Sequence, residues 1–400
     1  MRNNVFVGFG FGPIQSGLFV AEAFRSGNYS RIVIAEIDQD LVNAIRENKG
    51  CYFVNIASED AVIQKKIEGI EIFNPTIDAD RNELLVALSQ ATEIVTSLPS
   101  VDFYDIGVHA ASSLIAQGLR QSTAAGTIVY TAENNNHAAE ILQEKAGRFD
   151  NVQYVNTVIG KMSQVVQGKQ EIANKKLSAI APGIDRAFLV EAFNKILVSK
   201  YSIPGFTPGI EVFLEKEDLM PFEEAKLYGH NAIHVLLAFL GVQKGYTTMA
   251  QLRDDEKLMA IARDAFIHEC GAALIKKYSH LNESLFTEAG FEQYAEDLLE
   301  RMTNPYLDDA IERAARDPRR KLSENDRIFG TIKLIIKHDI EPVNMAKGAK
   351  AGIAYLLKNR EENKVPENLQ TSSSGITGDL LSWLWHDNAS AFHKKMVNML

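Results

Sequence analysis

Gly8-Phe-Gly10-Phe-Gly12-Pro-Ile-Gln15-Ser-Gly17 is the stretch whose reading decides the fold. It follows an apolar run over residues 5–9 that reads as a strand, and it opens residues 14–26, which read as a helix. A dinucleotide pyrophosphate needs close backbone approach, free N–H groups and a helix N-terminus aimed at it. Glycine supplies the first two because it has no Cβ. The best register is Gly10-x-Gly12-x-x-Gln15-x-Gly17, which makes Gly10, Gly12 and Gly17 the candidate cofactor glycines. The third glycine position holds Gln15, so the packing of helix on strand is expected to differ from the usual motif. A flexible turn between strand and helix is the simpler reading of the glycines alone.

Context favours the cofactor. Residues 31–37 read as a second strand and 39–48 as a second helix. Further on, 93–98, 127–131 and 152–158 read as strands, with helical stretches at 81–90 and 106–118. Strands separated by helices imply parallel strands joined by right-handed crossovers. The expected class is α/β, with an N-terminal Rossmann-type doubly wound parallel sheet over residues 1–203. Glu36 ends the second strand at the spacing of a ribose-binding acid. A carboxylate there accepts hydrogen bonds from both ribose hydroxyls and repels a 2′-phosphate, which favours NAD over NADP. Otherwise Glu36 is a solvated acid at a strand end.

The chain has 400 residues, of which 46% are hydrophobic and 24% charged, so two globular domains are expected. Its net charge is −10, from 52 acidic and 42 basic residues, with no long basic block. Nucleic acid is therefore a poor partner, and a small-molecule substrate is the expected one. The two cysteines, Cys51 and Cys270, form no metal-type pair and fit a reducing compartment. No segment approaches 18 uninterrupted apolar residues, and the N-terminus lacks a secretory pattern. The expectation is a cytoplasmic protein, not in a membrane, as a monomer or small homo-oligomer.

After the proline- and glycine-dense stretch Ser202-Ile-Pro204-Gly205-Phe-Thr-Pro208-Gly209, helical periodicity dominates. Residues 222–240, 254–278, 291–302, 307–316, 326–338 and 342–357 carry apolar residues at three- and four-residue spacing. A mainly α-helical domain is expected over 204–400, with a serine- and glycine-rich loop at 370–378. Its most chemical segment is Lys226-Leu-Tyr-Gly-His-Asn231-Ala-Ile-His234. On a regular helix ended by Gly241, Asn231 lies ~140° and His234 ~80° round from Lys226, within one broad face. Oxidising a secondary alcohol requires removal of its O–H proton as hydride leaves carbon. Lysine serves as the base only when neutral, and a working pH of 7–8 requires its usual pKa to fall by ~3, or ~4 kcal/mol. Burial pushes that way. Asn231 can donate to the developing alkoxide and His234 can orient the substrate. A surface lysine and a satisfied core histidine are the plainer alternatives.

Lys226-x4-Asn231-x2-His234 resembles the signature of the polyol-specific long-chain dehydrogenases, the mannitol dehydrogenase family. The likeness extends over most of the chain and through Ala273-Leu-Ile-Lys-Lys-Tyr278, Asn304-Pro-Tyr-Leu-Asp308 and Pro318-Arg-Arg320-Lys321-Leu-Ser-Glu-Asn-Asp326-Arg327. It is sharpest toward the members acting on hexitol phosphates. It implies NAD-linked interconversion of mannitol 1-phosphate and fructose 6-phosphate, with Lys226 as general base and no metal. It also implies that Thr96, Ser97 and Leu98 pass the cofactor and that Glu133-Asn134 lies beside the nicotinamide. Asn156-Thr157 matches a pair whose asparagine supplies a second alkoxide donor, but the family's following acid and arginine are replaced by Gly160-Lys161-Met162. That departure keeps open a free polyol or a sugar acid such as tagaturonate, and a non-catalytic NAD-binding sensor remains a third reading. Arg319, Arg320 and Lys321 are candidates to hold a substrate phosphate, with Arg316 and Arg327 equally placed. A solvated basic loop accounts for them as simply.

Overall fold

The computed structural model describes residues 4–369, 371–372, 375–386 and 390–400. It divides into two compact units, Met1–Met220 and Pro221–Leu400.

The first unit carries twelve strands among its described residues. They are β1 Asn4–Phe9, β2 Tyr29–Ala35, β3 Tyr52–Ala57, β4 Val62–Ile67, β5 Glu71–Phe73, β6 Glu93–Thr96, β7 Thr127–Thr131, β8 Val152–Ile159, β9 Ser163–Gln167, β10 Arg186–Glu191, β11 Ile196–Ser199 and β12 Phe213–Lys216. Eight of them form one sheet in the order β12-β11-β8-β7-β6-β1-β2-β5. From β5 to β8 every pairing is parallel. The chain starts in the middle, winds outward one way and then the other, which puts a switch point between β1 and β6. Strands β6 and β7 are buried at every position, so they read as continuous apolar runs rather than alternating ones.

The sequence reading did not anticipate the second sheet, β4-β3-β10-β9. It gives the glycine-turn helix a second wall. Gln15–Val20 and the start of Ala21–Ser26 are buried all round, with Tyr52 Oη donating to the Ser16 carbonyl at 2.7 Å. Phe11 meets the Tyr52 ring edge-on at 4.9 Å.

The 202–209 stretch lies inside the first unit, because β12 beyond it pairs in parallel with β11. It is tied down by a buried carboxylate. Glu93 accepts from Tyr29 Oη at 2.7 Å, Gly209 N at 2.7 Å and Tyr130 Oη at 3.2 Å. Burial pushes its pKa up to about 7 against those donors.

The second unit is helical. Met220–Glu224, Ala225–Asn231 and Ala232–Gln243 run on without a break, as do Glu256–Asp264, Ala265–Gly271 and Ala272–Tyr278. The middle segment of each is a π turn, with hydrogen bonds spanning five residues instead of four. Ala232–Gln243 is apolar on every side and almost wholly buried, which makes it the centre of the bundle. It continues past Gly241, where an end was expected. A Cβ at Gly241 would come within 2.8 Å of Ile311 Cδ1, so this glycine serves packing. The stop comes at Gly245, whose φ of +79° only glycine adopts at little cost.

Helices Glu288–Met302, Phe329–Lys337 and Val343–Lys358 match their expected stretches closely, whereas 307–316 yields only Ile311–Ala315. Of the loop expected over 370–378, residues 370, 373 and 374 lie outside the described ones, and Thr371–Ser372 pairs with Gly375–Ile376.

Candidate active site

The first cluster forms where β1, β2, β6 and β7 end. Gly10 has φ +81° and donates its N–H to Ala35 O at 2.9 Å. A Cβ there would lie 2.9 Å from Ser97 O and 3.3 Å from Leu98 Cδ2, so Gly10, Ser97 and Leu98 are neighbours. Gly12 has nothing within 4 Å where a Cβ would stand. The structure thus keeps space above the turn in front of a helix N-terminus, where Gly12 O accepts from Ser16 N at 2.9 Å. Glu36, at the end of β2, accepts from Ile37 N at 2.7 Å and Asp38 N at 2.9 Å through Oε1. Glu133 is buried and locks the switch point. It accepts from Leu98 N at 2.8 Å, Thr96 Oγ1 at 2.9 Å and Tyr104 Oη at 2.5 Å. Asn134, the next residue, is exposed.

Two residues of the glycine motif face inward instead. Gly17 lies on the buried side of the helix, where a Cβ would meet Val190 Cγ1 at 2.7 Å. Gln15 is fully buried, and among the described residues neither polar atom of its amide has a hydrogen-bond partner. Its Nε2 sits 1.8 Å from where a Cβ on Gly8 would be. The glycine missing from the helix is therefore supplied by the strand beneath it, and close packing survives by exchange.

Asn156 lies on β8 with its amide largely committed. Oδ1 accepts from Ala139 N at 2.8 Å and Nδ2 donates to Glu140 Oε2 at 2.9 Å, which leaves one N–H. Lys161, one of the departures from the family pattern, donates its amine to the carbonyls of Glu191 and Phe193 and so closes the turn between β10 and β11.

The second cluster lies in the helical unit. Lys226 and Asn231 both sit in the π turn Ala225–Asn231. Regular geometry spreads residues five apart across a broad face, and i→i+5 bonding brings them closer together round the helix. The ~140° separation expected from the sequence is thereby reduced. Burial, then the neighbouring Arg327 guanidinium, pull the Lys226 amine down to about 8, while Glu223 works against them. The His230 imidazole is buried and pushed well below its usual range, first by burial and then by His234, Arg301, Lys226 and Arg327. Those four basic side chains therefore lie within electrostatic reach of one point.

His234 is oriented by a residue that the sequence reading missed. Its Nε2 lies 3.0 Å from Asp309 Oδ2, and Arg313 Nε donates to Asp309 Oδ1 at 2.6 Å. Burial raises the Asp309 carboxyl, but His234 and Arg313 overcome it and hold Asp309 well below the usual carboxylate range. A carboxylate at Nε2 favours the Nε2–H tautomer and leaves Nδ1 as an acceptor. The sequence signal was faint, since Asp309 directly follows the quoted Asn304–Asp308 motif but is 75 positions from its partner.

Arg319, Arg320 and Lys321 each engage a protein group. Arg319 stacks over Trp383 at 4.5 Å, and Arg320 pairs with Asp317 at 2.6 Å. Lys321 is buried and donates to Ala314 O at 2.8 Å and to Arg316 O. Arg327 alone of this stretch is both largely buried and coupled to Lys226, with Asp326 Oδ1 as its partner at 2.9 Å.

Residues 218–374 match the family described as the mannitol dehydrogenase C-terminal domain. The chain is similar to the mannitol-1-phosphate 5-dehydrogenase of Halalkalibacterium halodurans, 27% identical over 360 residues and covering 89% of each. The Bacillus subtilis protein of that name is 27% identical over 364 residues, covering 87% of this chain and 86% of the relative. Among solved structures, substrate-free D-sorbitol dehydrogenase superposes with a TM-score of 0.71 at 15% identity, covering 94% of this chain and 82% of that one. Pseudomonas fluorescens mannitol 2-dehydrogenase, solved with NAD and D-mannitol, gives 0.64 at 14%, covering 96% and 86%. At these identities the two structures share the fold.

Proposed function

We propose that this chain, whose C-terminal domain belongs to the mannitol dehydrogenase family, is an NAD-dependent dehydrogenase interconverting mannitol 1-phosphate and fructose 6-phosphate. The observation that carries the reading is the π turn holding Lys226, with its amine drawn down to about 8, which ends at Asn231 three residues before the Asp309-bonded His234.

Gly10, Gly12 and the following helix N-terminus fit a pyrophosphate, because the one position needs a positive φ and the other is kept open. Glu36, fixed by two backbone donors, fits the ribose hydroxyls and favours NAD. Ser97, Leu98 and Asn134 flank the same strand ends, while Gly17 lets the helix pack closely. NAD, when bound, accepts hydride from the carbinol carbon.

The remaining steps belong to side chains. A neutral Lys226 takes the hydroxyl proton; Asn231 and the spare N–H of Asn156 donate to the oxygen as it gains charge; His234 Nδ1 accepts a hydrogen bond from a neighbouring hydroxyl. Arg327 both lowers the Lys226 pKa and offers a planar fork to the substrate phosphate.

A second reading keeps the chemistry and changes the substrate to a free polyol or a sugar acid. Arg319, Arg320 and Lys321 form no joint anion site, and Lys161 is spent on backbone carbonyls, both of which favour it. The test is NADH absorbance with fructose 6-phosphate, fructose and tagaturonate side by side. Preferred turnover of fructose 6-phosphate supports the first reading, and preference for either other ketose replaces it with the second. No turnover with any of the three, together with retained NAD binding, selects a sensor.

A further inference from the structure

The helical unit carries a cavity of about 600 Å³ that the reaction does not use, formed by the ends of three helices. Its volume lies within the range of small-molecule sites. Ile336 and Ile340 follow from Phe329–Lys337, Val343 and Ala346 come from Val343–Lys358, and Met399 ends Ala391–Met399. These form an apolar floor. Val343 is 55% exposed, so the floor is open to solvent.

The rim is cationic. Lys347 and Lys350 stand one turn apart on Val343–Lys358, and Lys395 faces the same cavity from the last helix. Glu341 is the one acid among the lining residues. Lys347 donates to Asn344 Oδ1 at 2.6 Å, and among the described residues neither Lys350 nor Lys395 is recorded in an ion pair. Three amines against one carboxylate stand out on a chain of net charge −10. Like charges gathered around an apolar floor repel one another, and an anion placed among them relieves that repulsion.

We infer that this cavity binds a small amphipathic monoanion, an alkyl chain with a carboxylate head, the chain lying on Ile336, Ile340, Val343 and Met399 and the head among Lys347, Lys350 and Lys395. The apolar floor is too broad for an inorganic anion, which needs donors on several sides. The lysine rim is wrong for a neutral lipid, which would leave the amines unanswered.

The test is calorimetric titration with decanoate below its micellar range, with decanol as the uncharged partner. One saturable site is expected, with decanol at least about tenfold weaker, the size of a lost charge-assisted contact. The double variant Lys350→Glu/Lys395→Glu is expected to weaken decanoate by at least about tenfold. Ala346→Trp, which fills the floor, is expected to abolish binding while the melting temperature stays unchanged. Absence of a saturable site, equal binding of decanoate and decanol, or affinity untouched by the charge reversals overturns the inference. If Ala346→Trp does not fold, the lysine pair decides alone. None of these readings depends on turnover, so they stand apart from the dehydrogenase assignment.

Discussion

The glycine turn of the first unit and the π turn of the second both depart from regular geometry, yet they are specified in opposite ways. At Gly10 the backbone itself demands the residue, since φ is +81° and a side chain would strike Ser97 O. At Lys226 the backbone is helical, and what matters is the environment that draws the amine down to about 8. A constraint on shape is written into the residue that obeys it. A constraint on charge is written into that residue's neighbours.

The sharpest way to break this comparison is Lys226→Met. If environment makes the amine a base, kcat for polyol oxidation falls by roughly 10²–10⁴ while dinucleotide binding is retained. A variant keeping more than a tenth of the activity removes Lys226 from that role. Next in size is Asp309→Asn, which loses the carboxylate holding His234. A drop of roughly 10–100-fold in kcat/KM is expected, the effect of a lost orienting partner, with the fold intact by circular dichroism. Unchanged kinetics would make the pair structural only.

Gly10→Ala tests the other side. It should cost about 1–3 kcal/mol of stability in urea unfolding through strain at positive φ. Gly12→Ala should leave the melt unchanged, because nothing stands within 4 Å of the added carbon, and should weaken only dinucleotide binding. Equal effects of the two in both assays would contradict the geometry.

The pH profile sharpens the charge argument. An amine lowered to about 8 makes oxidation rise with pH through about 8, because only the neutral form accepts a proton. Ketose reduction, which needs the charged form, falls through the same pH. Arg327→Gln removes a cation that lowers the Lys226 pKa, so both midpoints should move to higher pH. Arg319→Ala should do least. Its guanidinium lies on Trp383, and losing such a contact costs about 0.5–1 kcal/mol of stability, with no change in KM for the sugar phosphate.

The doubly wound core was legible because strand and helix periods differ, so β1, β2 and β7 fall within a residue or two of their sequence-based bounds. The four-stranded sheet was not recognised, although Tyr52–Ala57 and Val62–Ile67 pair as adjacent strands. The sequence reading assigns no element between residues 48 and 81. The early end placed at Gly241 has a similar source. Glycine is ambiguous between a stop and a close approach, and only the position of Ile311 tells which applies. Gln15 is the same lesson in reverse, because its room comes from Gly8 across the strand.

From its residues alone this chain determined the alternation of elements in its first half, the helical character of its second, and which side chains are candidates for chemistry. Those features depend on local spacing and on the chemical nature of each residue. Only the tertiary structure decided that Asp309 holds His234, that Arg327 is the basic residue coupled to Lys226, and that Lys321 is turned inward onto carbonyls. The reason is that electrostatic partners are chosen by distance in space, and no local pattern records which distant residues folding brings within reach.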